Sequence, residues 1–401
     1  MVYLTKRRFR ICKEDFFPFI YYTMFYTSLF ITDMGFEQRH TTVTAAILKG
    51  IVLICLTIHT VLRKWRKSEL YRMAIALGIG LILLLYSGDF VWLIILLMGF
   101  TLSEVNEDKL LKISIKCIVF WGLTTIFLNR LRVLPDLISY RTDFSDYARH
   151  SFGFAHSNIL PLCIFYLLAY YVSLNHEKER RVPVLLLTAV SIGVYGFCNS
   201  RNALIGVILL AGASCYLGRI KKGGFVSKVT AFAAKWSVLL FSAISILPAY
   251  LRLRHYMMNL WYAYDKIFTN RTQLGAAAIN AYGISFINPM NAYDYFSKIV
   301  VIDGFQKKGI ILDNGYMYML IRYGIAALLI LIFINISIVV VRKDDIVFCA
   351  VLLIIACVNM TDNDFLSYGF LPYMLMGIRN LLNQKACPDC RKSVIMLDNT
   401  V

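Results

Sequence analysis

Charge is what this sequence has least of. Only 16% of its 401 residues are charged, against about 25% in a soluble domain, and 59% are hydrophobic, with a mean hydropathy of +0.63. A chain so poor in charge cannot cover a water-facing surface, and the composition predicts a polytopic integral membrane protein. Acidic residues are scarcer still: 24 Asp and Glu stand against 42 Lys and Arg, a formal net charge of +18. In a soluble chain that excess raises nucleic acid as a partner. No basic helix with base-reading side chains accompanies it. The cations gather between apolar runs, as they do in cytoplasmic loops beside anionic headgroups. We expect a lipid bilayer as partner and no nucleic acid.

Other absences narrow the chemistry. No His/Asp/Glu cluster has metal-ligand spacing, no glycine-rich loop is built to cradle phosphate, and no Ser/His/Asp order stands out. Most of the ten cysteines lie in apolar runs, where Cys acts as a small hydrophobe. None lies in the polar stretch 250–314, which excludes a disulfide-stapled outer domain. Cys387-Pro-Asp-Cys390 has the spacing of half a zinc site without a second pair. No internal repeat is found, which argues against a transporter built from two similar halves.

What is present is apolar length. A span needs about 20 mostly apolar residues, and the sequence predicts about twelve: 16–32, 43–62, 72–87, 89–103, 112–129, 157–174, 183–199, 202–218, 231–249, 315–341, 346–360 and 365–383. The third and fourth nearly touch through Ser87-Gly88-Asp89, as in a tight helical hairpin. The first follows Lys6, Arg7, Arg8, Arg10 and Lys13 without a small-residue cleavage site, so it is expected to stay as an anchor. Placing both termini in the cytoplasm puts the run Arg63-Lys64-Trp65-Arg66-Lys67, Lys178, Arg180, Arg181, Arg219, Lys221, Lys222, Lys228, Arg342 and Lys343 inside. The expected fold is one all-α transmembrane domain over 1–401, with extracytoplasmic loops at 130–156 and 250–314 and a cytoplasmic tail at 384–401.

The two outer loops are rich in cations, and long translocated segments are largely exempt from the charge rule. The longer one carries Arg252, Arg254 and Arg271 among Trp261, Tyr282 and other aromatics, a combination suited to an anionic, sugar-bearing ligand. Arg149-His150-Ser151-Phe152-Gly153-Phe154-Ala155-His156-Ser157-Asn158 leads into the sixth span. Gly153 permits a tight turn. Ser157 or Asn158 can cap the helix, and a helix N-terminus beside an arginine suits phosphate. Asn199-Ser200-Arg201-Asn202 turns between the next two spans, where Arg201 can equally snorkel to headgroups. Asn270-Arg271-Thr272-Gln273-Leu274 opens a short helix expected on the outer face. Asp313-Asn314-Gly315-Tyr316 enters the tenth span, with Asp313 or Asn314 as its cap and Asp313 as a candidate base. Arg322 lies about two turns further in, where a membrane arginine must face a wet cavity.

In this order and spacing, Ser-Phe-Gly-Phe-Ala-His-Ser-Asn, Asn-Ser-Arg-Asn-Ala, Thr-Asn-Arg-Thr-Gln-Leu and Asp-Asn-Gly-Tyr-Met-Tyr-Met-Leu make residues 130–335 resemble the oligosaccharide repeat-unit polymerases of bacterial surface polysaccharides. These are the O-antigen and capsule polymerases of the Wzy type, relatives of the O-antigen ligases. At two positions the chain departs from them: Ser157 follows His156 where the family often has proline, and Asn202 follows Arg201 where it often has glycine. The resemblance implies a GT-C-like helical bundle in the bacterial cytoplasmic membrane with an extracytoplasmic active site and no cofactor. The implied substrate is an oligosaccharide on undecaprenyl pyrophosphate, with a chain-length regulator and a repeat-unit flippase as partners. Arg149, Arg201 and Arg271 are then expected on the pyrophosphate, His156 on phosphate or as base, and Asp313 as a weaker base. Asn158, Arg252, Arg254, Trp261, Tyr282, Asn314, Tyr316 and Arg322 would line the substrate. A flippase for the same lipid-linked oligosaccharide, or a ligase, stands as the alternative.

Overall fold

Apolar runs this long close their backbone hydrogen bonds only as helices when water is excluded, and the chain is helical almost throughout. The computed structural model describes residues 13–382 except 64, 66, 103–104, 141–146, 176–180, 221–222, 269, 289–298, 303–304, 309–311 and 364. The expected tail at 384–401, with Cys387 and Cys390, and the basic run at 6–10 lie outside the described residues. Among the described residues fifteen α-helices follow one another: α1 Lys13–Ile31, α2 Gln38–Leu62, α3 Lys67–Ser87, α4 Val91–Thr101, α5 Glu107–Arg130, α6 Ile159–Asn175, α7 Arg181–Cys198, α8 Arg201–Tyr216, α9 Phe225–Leu253, α10 Met258–Phe268, α11 Arg271–Tyr282, α12 Gly315–Tyr323, α13 Ile325–Arg342, α14 Ile346–Val358 and α15 Leu371–Leu382. The all-α expectation holds, with two small antiparallel pairs beside the helices among the described residues: β1 Ser139–Tyr140 with β2 Ala148–Arg149, and β3 Ile299–Ile302 with β4 Phe305–Lys308.

Among the described residues seven helices, α2, α3, α5, α7, α8 with its short 3-10 extension, α9 and α13, are long and apolar enough to cross a membrane. Their outward faces are apolar too. On α2, Val43, Ile47, Ile51, Ile54, Ile58 and Val61 form an exposed stripe, while Ala45, Val52 and Leu56 face inward. In water each half-exposed side chain of that stripe would forfeit roughly 1 kcal/mol; against lipid it forfeits nothing. The molecule is a helical membrane protein. At its centre α4 is buried on every side, enclosed by α2, α3 and α15.

Helix ends have identifiable causes. Asn106 caps α5 through the amide of Asp108 at 2.9 Å, and Asp345 caps α14 through that of Phe348 at 3.0 Å. Between α5, α13 and α15, Glu107 takes an ion pair from Arg342 and lies 3.9 Å from Arg379. The α3–α4 hairpin turns at Gly88, as expected.

Two expected spans are interrupted. The tenth, 315–341, is broken at Gly324, whose φ of +87° ends α12. A Cβ at Gly324 would stand 2.6 Å from the Phe286 carbonyl oxygen, because the 285–288 segment is inserted there. Amides of Ile325 and Ala326 donate to the Ser285 and Phe286 carbonyls at 3.1 and 2.9 Å. α12 therefore rests across helix ends instead of continuing α13. Its Gly315 amide donates to Asn359 beyond α14, and its Tyr323 hydroxyl to Asp89 beyond α3. The twelfth span, 365–383, is helical only from Leu371, because the Tyr170 hydroxyl holds the Tyr368 and Gly369 carbonyls at 3.0 and 2.6 Å.

Candidate functional site

An exposed carboxylate organises the described ends of the 130–156 loop. Asp136 accepts the amides of Ser151 and Phe152 at 2.8 and 2.9 Å and the Nδ1 of His150 at 2.6 Å. Burial works to raise its pKa, but these hydrogen bonds prevail and hold it below the ordinary carboxylate value. The next residues are clamped to the bundle. Gly153 has φ +87°, and a Cβ there would lie 2.8 Å from that of Asn129. Its carbonyl accepts the Gly35 amide at 2.8 Å, and the Ala155 amide donates to Asp33 at 2.8 Å. Phe154 is buried beside Phe30. A fixed chain thus delivers His156 and Asn158 to the start of α6.

Arg149 joins this segment to α7. Its Nε donates to the Cys198 carbonyl at 2.9 Å and its Nη2 to Asn158 Oδ1 at 2.5 Å. Arg201, exposed at the first position of α8, follows three residues after Cys198. Asn158 then passes its Nδ2 to Asp362 Oδ1 at 3.5 Å. Asp362 is buried in the turn after α14 and also accepts from Thr361 Oγ1 at 3.3 Å. From the opposite side, Arg271 at the start of α11 donates its Nη2 to the Thr361 carbonyl at 2.6 Å, and its buried Nε has no hydrogen-bond partner. Arg271 thus meets this turn directly and Arg149 is linked to it through Asn158, from segments more than 100 residues apart in sequence.

His156 is exposed beside them. Desolvation by its neighbours and then the Arg149 charge push its pKa below the ordinary value, while Asp313 opposes the shift. Its Nδ1 accepts the Asn158 amide at 3.2 Å. A neutral ring with Nδ1 as acceptor carries its proton on Nε2. His156 so placed offers an N–H donor, not a free lone pair, and Asp313 is exposed. Asn314 is the cap of α12, accepting the amides of Tyr316 and Met317 at 3.0 and 3.1 Å.

Other expected ligand residues are engaged elsewhere. Buried Arg252 pairs with Asp265 and donates to Thr272 Oγ1 at 3.1 Å. Asp265 Oδ1 also accepts the Thr272 amide at 2.8 Å, so this network fixes the start of α11 and thereby Arg271. Trp261 is buried, its Nε1 on the Tyr256 carbonyl at 2.7 Å. Tyr316 is buried with its hydroxyl on the Ala356 carbonyl at 2.7 Å. Half-buried Tyr282 packs on a small cluster of Ala249, Ala278, Ile279, Val300, Leu312, Met317 and Ile321, which gives the 250–314 stretch a core that its composition did not lead us to expect. Arg254 is exposed over the Tyr250 ring. Arg322 is buried against Asp89, away from the Asp362 turn. Sequence reasoning missed Asp362 and Asp265. The signal for the first was the acidic, amide-rich Thr361-Asp362-Asn363-Asp364 between two apolar runs in a chain short of acid.

Compared with known proteins, the chain matches no family model, no curated protein and no solved structure.

Proposed function

We propose that this chain is a metal-independent membrane glycosyltransferase that polymerises a bacterial surface polysaccharide. It would transfer the growing glycan from undecaprenyl pyrophosphate to a new lipid-linked repeat unit at the outer face of the cytoplasmic membrane. The observation that carries this reading is that Arg271 bonds the Thr361–Asp362 turn directly while Arg149 is linked to it through Asn158, with His156 near Arg149. In this reading the bundle has twelve spans in a GT-C-like arrangement, with both termini cytoplasmic. Helix lengths supply a recess for the site. α14 rises about 20 Å, less than the ~30 Å bilayer core, while α5 and α9 rise about 36 and 44 Å. A lipid pyrophosphate could enter sideways at the turn and meet both arginines.

The chemistry balances without a metal. An acceptor hydroxyl oxygen attacks the anomeric carbon, the bond from that carbon to the phosphate oxygen breaks, and the pyrophosphate departs with its electron pair. Asp313 takes the hydroxyl proton. Arg149, Arg271 and Arg201 stabilise the departing charge through planar forks matched to phosphate oxygens. His156 adds its Nε2–H, and Asn158 and Asp362 hold Arg149 in position. Removing one such donor typically costs about 100- to 1000-fold in rate. Arg201→Ala is expected to abolish long polymer in cells while protein level and insertion stay unchanged. Long chains from that variant would remove Arg201 from the assignment.

A further inference from the structure

A second cationic group lies at the other end of α12, away from Asp362. Lys49 Nζ of α2 is 3.9 Å from Asp89 Oδ1, and Arg322 Nη2 is 3.4 Å from Asp89 Oδ2. The same carboxylate accepts the Tyr323 hydroxyl at 3.0 Å and the Val91 amide at 3.1 Å. One anion that already serves a hydroxyl and a helix start is thus shared by two cations. Neither reaches the 2.7–2.9 Å usual for a charge-assisted bond. The formal balance of the three groups is one positive charge in excess. Arg322 is only 6% exposed, lies between the rings of Tyr318 and Tyr323, and its Nε has no hydrogen-bond partner. A cation enclosed among apolar helices needs a counter-anion, and Asp89 supplies only one for two.

We propose that Lys49 and Arg322 together bind the phosphate group of a membrane lipid, with Asp89 fixing the distance between them. The level fits a headgroup drawn slightly inward. Asp89 follows the end of α3, and Lys49 stands about 20 Å along α2 from Leu62, in the outer half of a ~30 Å core. Exposed Leu85, Tyr86 and Phe90 flank the turn and offer apolar surface to the lipid chain. A phosphate ester brings the missing negative charge and several acceptor oxygens for the Arg322 Nε and the Lys49 ammonium. This site does not depend on the glycosyltransferase reading.

The test uses full-length protein delipidated in detergent, with unfolding followed by tryptophan fluorescence. Dioctanoyl phosphatidic acid should raise the unfolding temperature saturably. Dioctanoyl phosphatidylcholine, whose phosphate carries its own counter-cation, should act at least tenfold more weakly. Lys49→Gln should weaken the phosphatidic acid effect at least tenfold; Lys49 lies too far from Asp89 to hydrogen-bond it, so this variant is expected to fold. Arg322→Lys, which keeps the charge and removes the fork, should weaken it as well. No stabilisation of wild type, or an unchanged affinity in both variants, would overturn the site. Inorganic phosphate matching phosphatidic acid at equal concentration would overturn the lipid as its occupant.

Discussion

At the scale of single residues, the proposed function divides the groups around the Asp362 turn into those that would touch substrate and those that would aim them. Arg271 presents an unpartnered Nε, whereas Arg149 is held on two sides by Cys198 and Asn158. Arg271→Lys keeps the charge and loses the fork, so we expect activity to fall about 100-fold or more if two phosphate oxygens are gripped at once. Near-wild-type turnover would reduce Arg271 to general electrostatics. His156 makes a prediction independent of activity. Its pKa lies below 6.5, so the ring is neutral at pH 7 and takes a proton only as the pH falls further. Nitrogen NMR of labelled histidine should find the Nε2–H form at neutral pH and a midpoint below 6.5. Asp313→Asn, which removes the carboxylate opposing the shift, should move that midpoint lower still. A midpoint at or above the ordinary histidine value in the wild type would contradict the desolvation and the Arg149 charge that lower it. These side chains were legible in sequence because cations in a loop expected to be translocated have no topological reason to be there. Asp362 was not, since an acidic turn between helices looks the same whether or not it orders an arginine.

At the scale of elements, the loops act as rigid arms because each is fastened at a few positions. Gly153 and Gly324 combine positive φ with no room for a Cβ, so alanine at either should destabilise the protein by about 1–3 kcal/mol. Gly283 shares the positive φ, +76°, in open space, and Gly283→Ala should cost about 1 kcal/mol or less. Thermal unfolding in detergent would rank the three. Equal losses would mean that close approach plays no part. Here the sequence was only partly informative. The apolar run 315–341 has nothing but Gly324 to mark its break, and that break comes from a segment inserted from 285–288, a tertiary effect invisible to local hydropathy. Likewise 365–383 is mostly apolar, yet Tyr170 from a distant helix withholds two carbonyls from its first turn.

For the whole molecule, apolar length and the placement of cations carried the architecture. Membrane character and the helix order follow from them with few corrections, while the small core of the 250–314 stretch depends on packing between residues far apart in the chain. The proposed orientation places Val133 outside and Arg219 inside. With native cysteines replaced, a cysteine at 133 should react with an impermeant maleimide on intact cells, and one at 219 only after permeabilisation. The reverse pattern would invert the bundle and move the Asp362 site to the cytoplasm. The most direct measurement is reconstitution of the purified chain in proteoliposomes with lipid-linked repeat units, followed by electrophoresis of the glycan. We predict a ladder of chain lengths from the wild type and single repeat units from Arg149→Ala and Arg271→Ala. Units that cross the bilayer without a new glycosidic bond, or a ladder that survives both substitutions, would contradict the account.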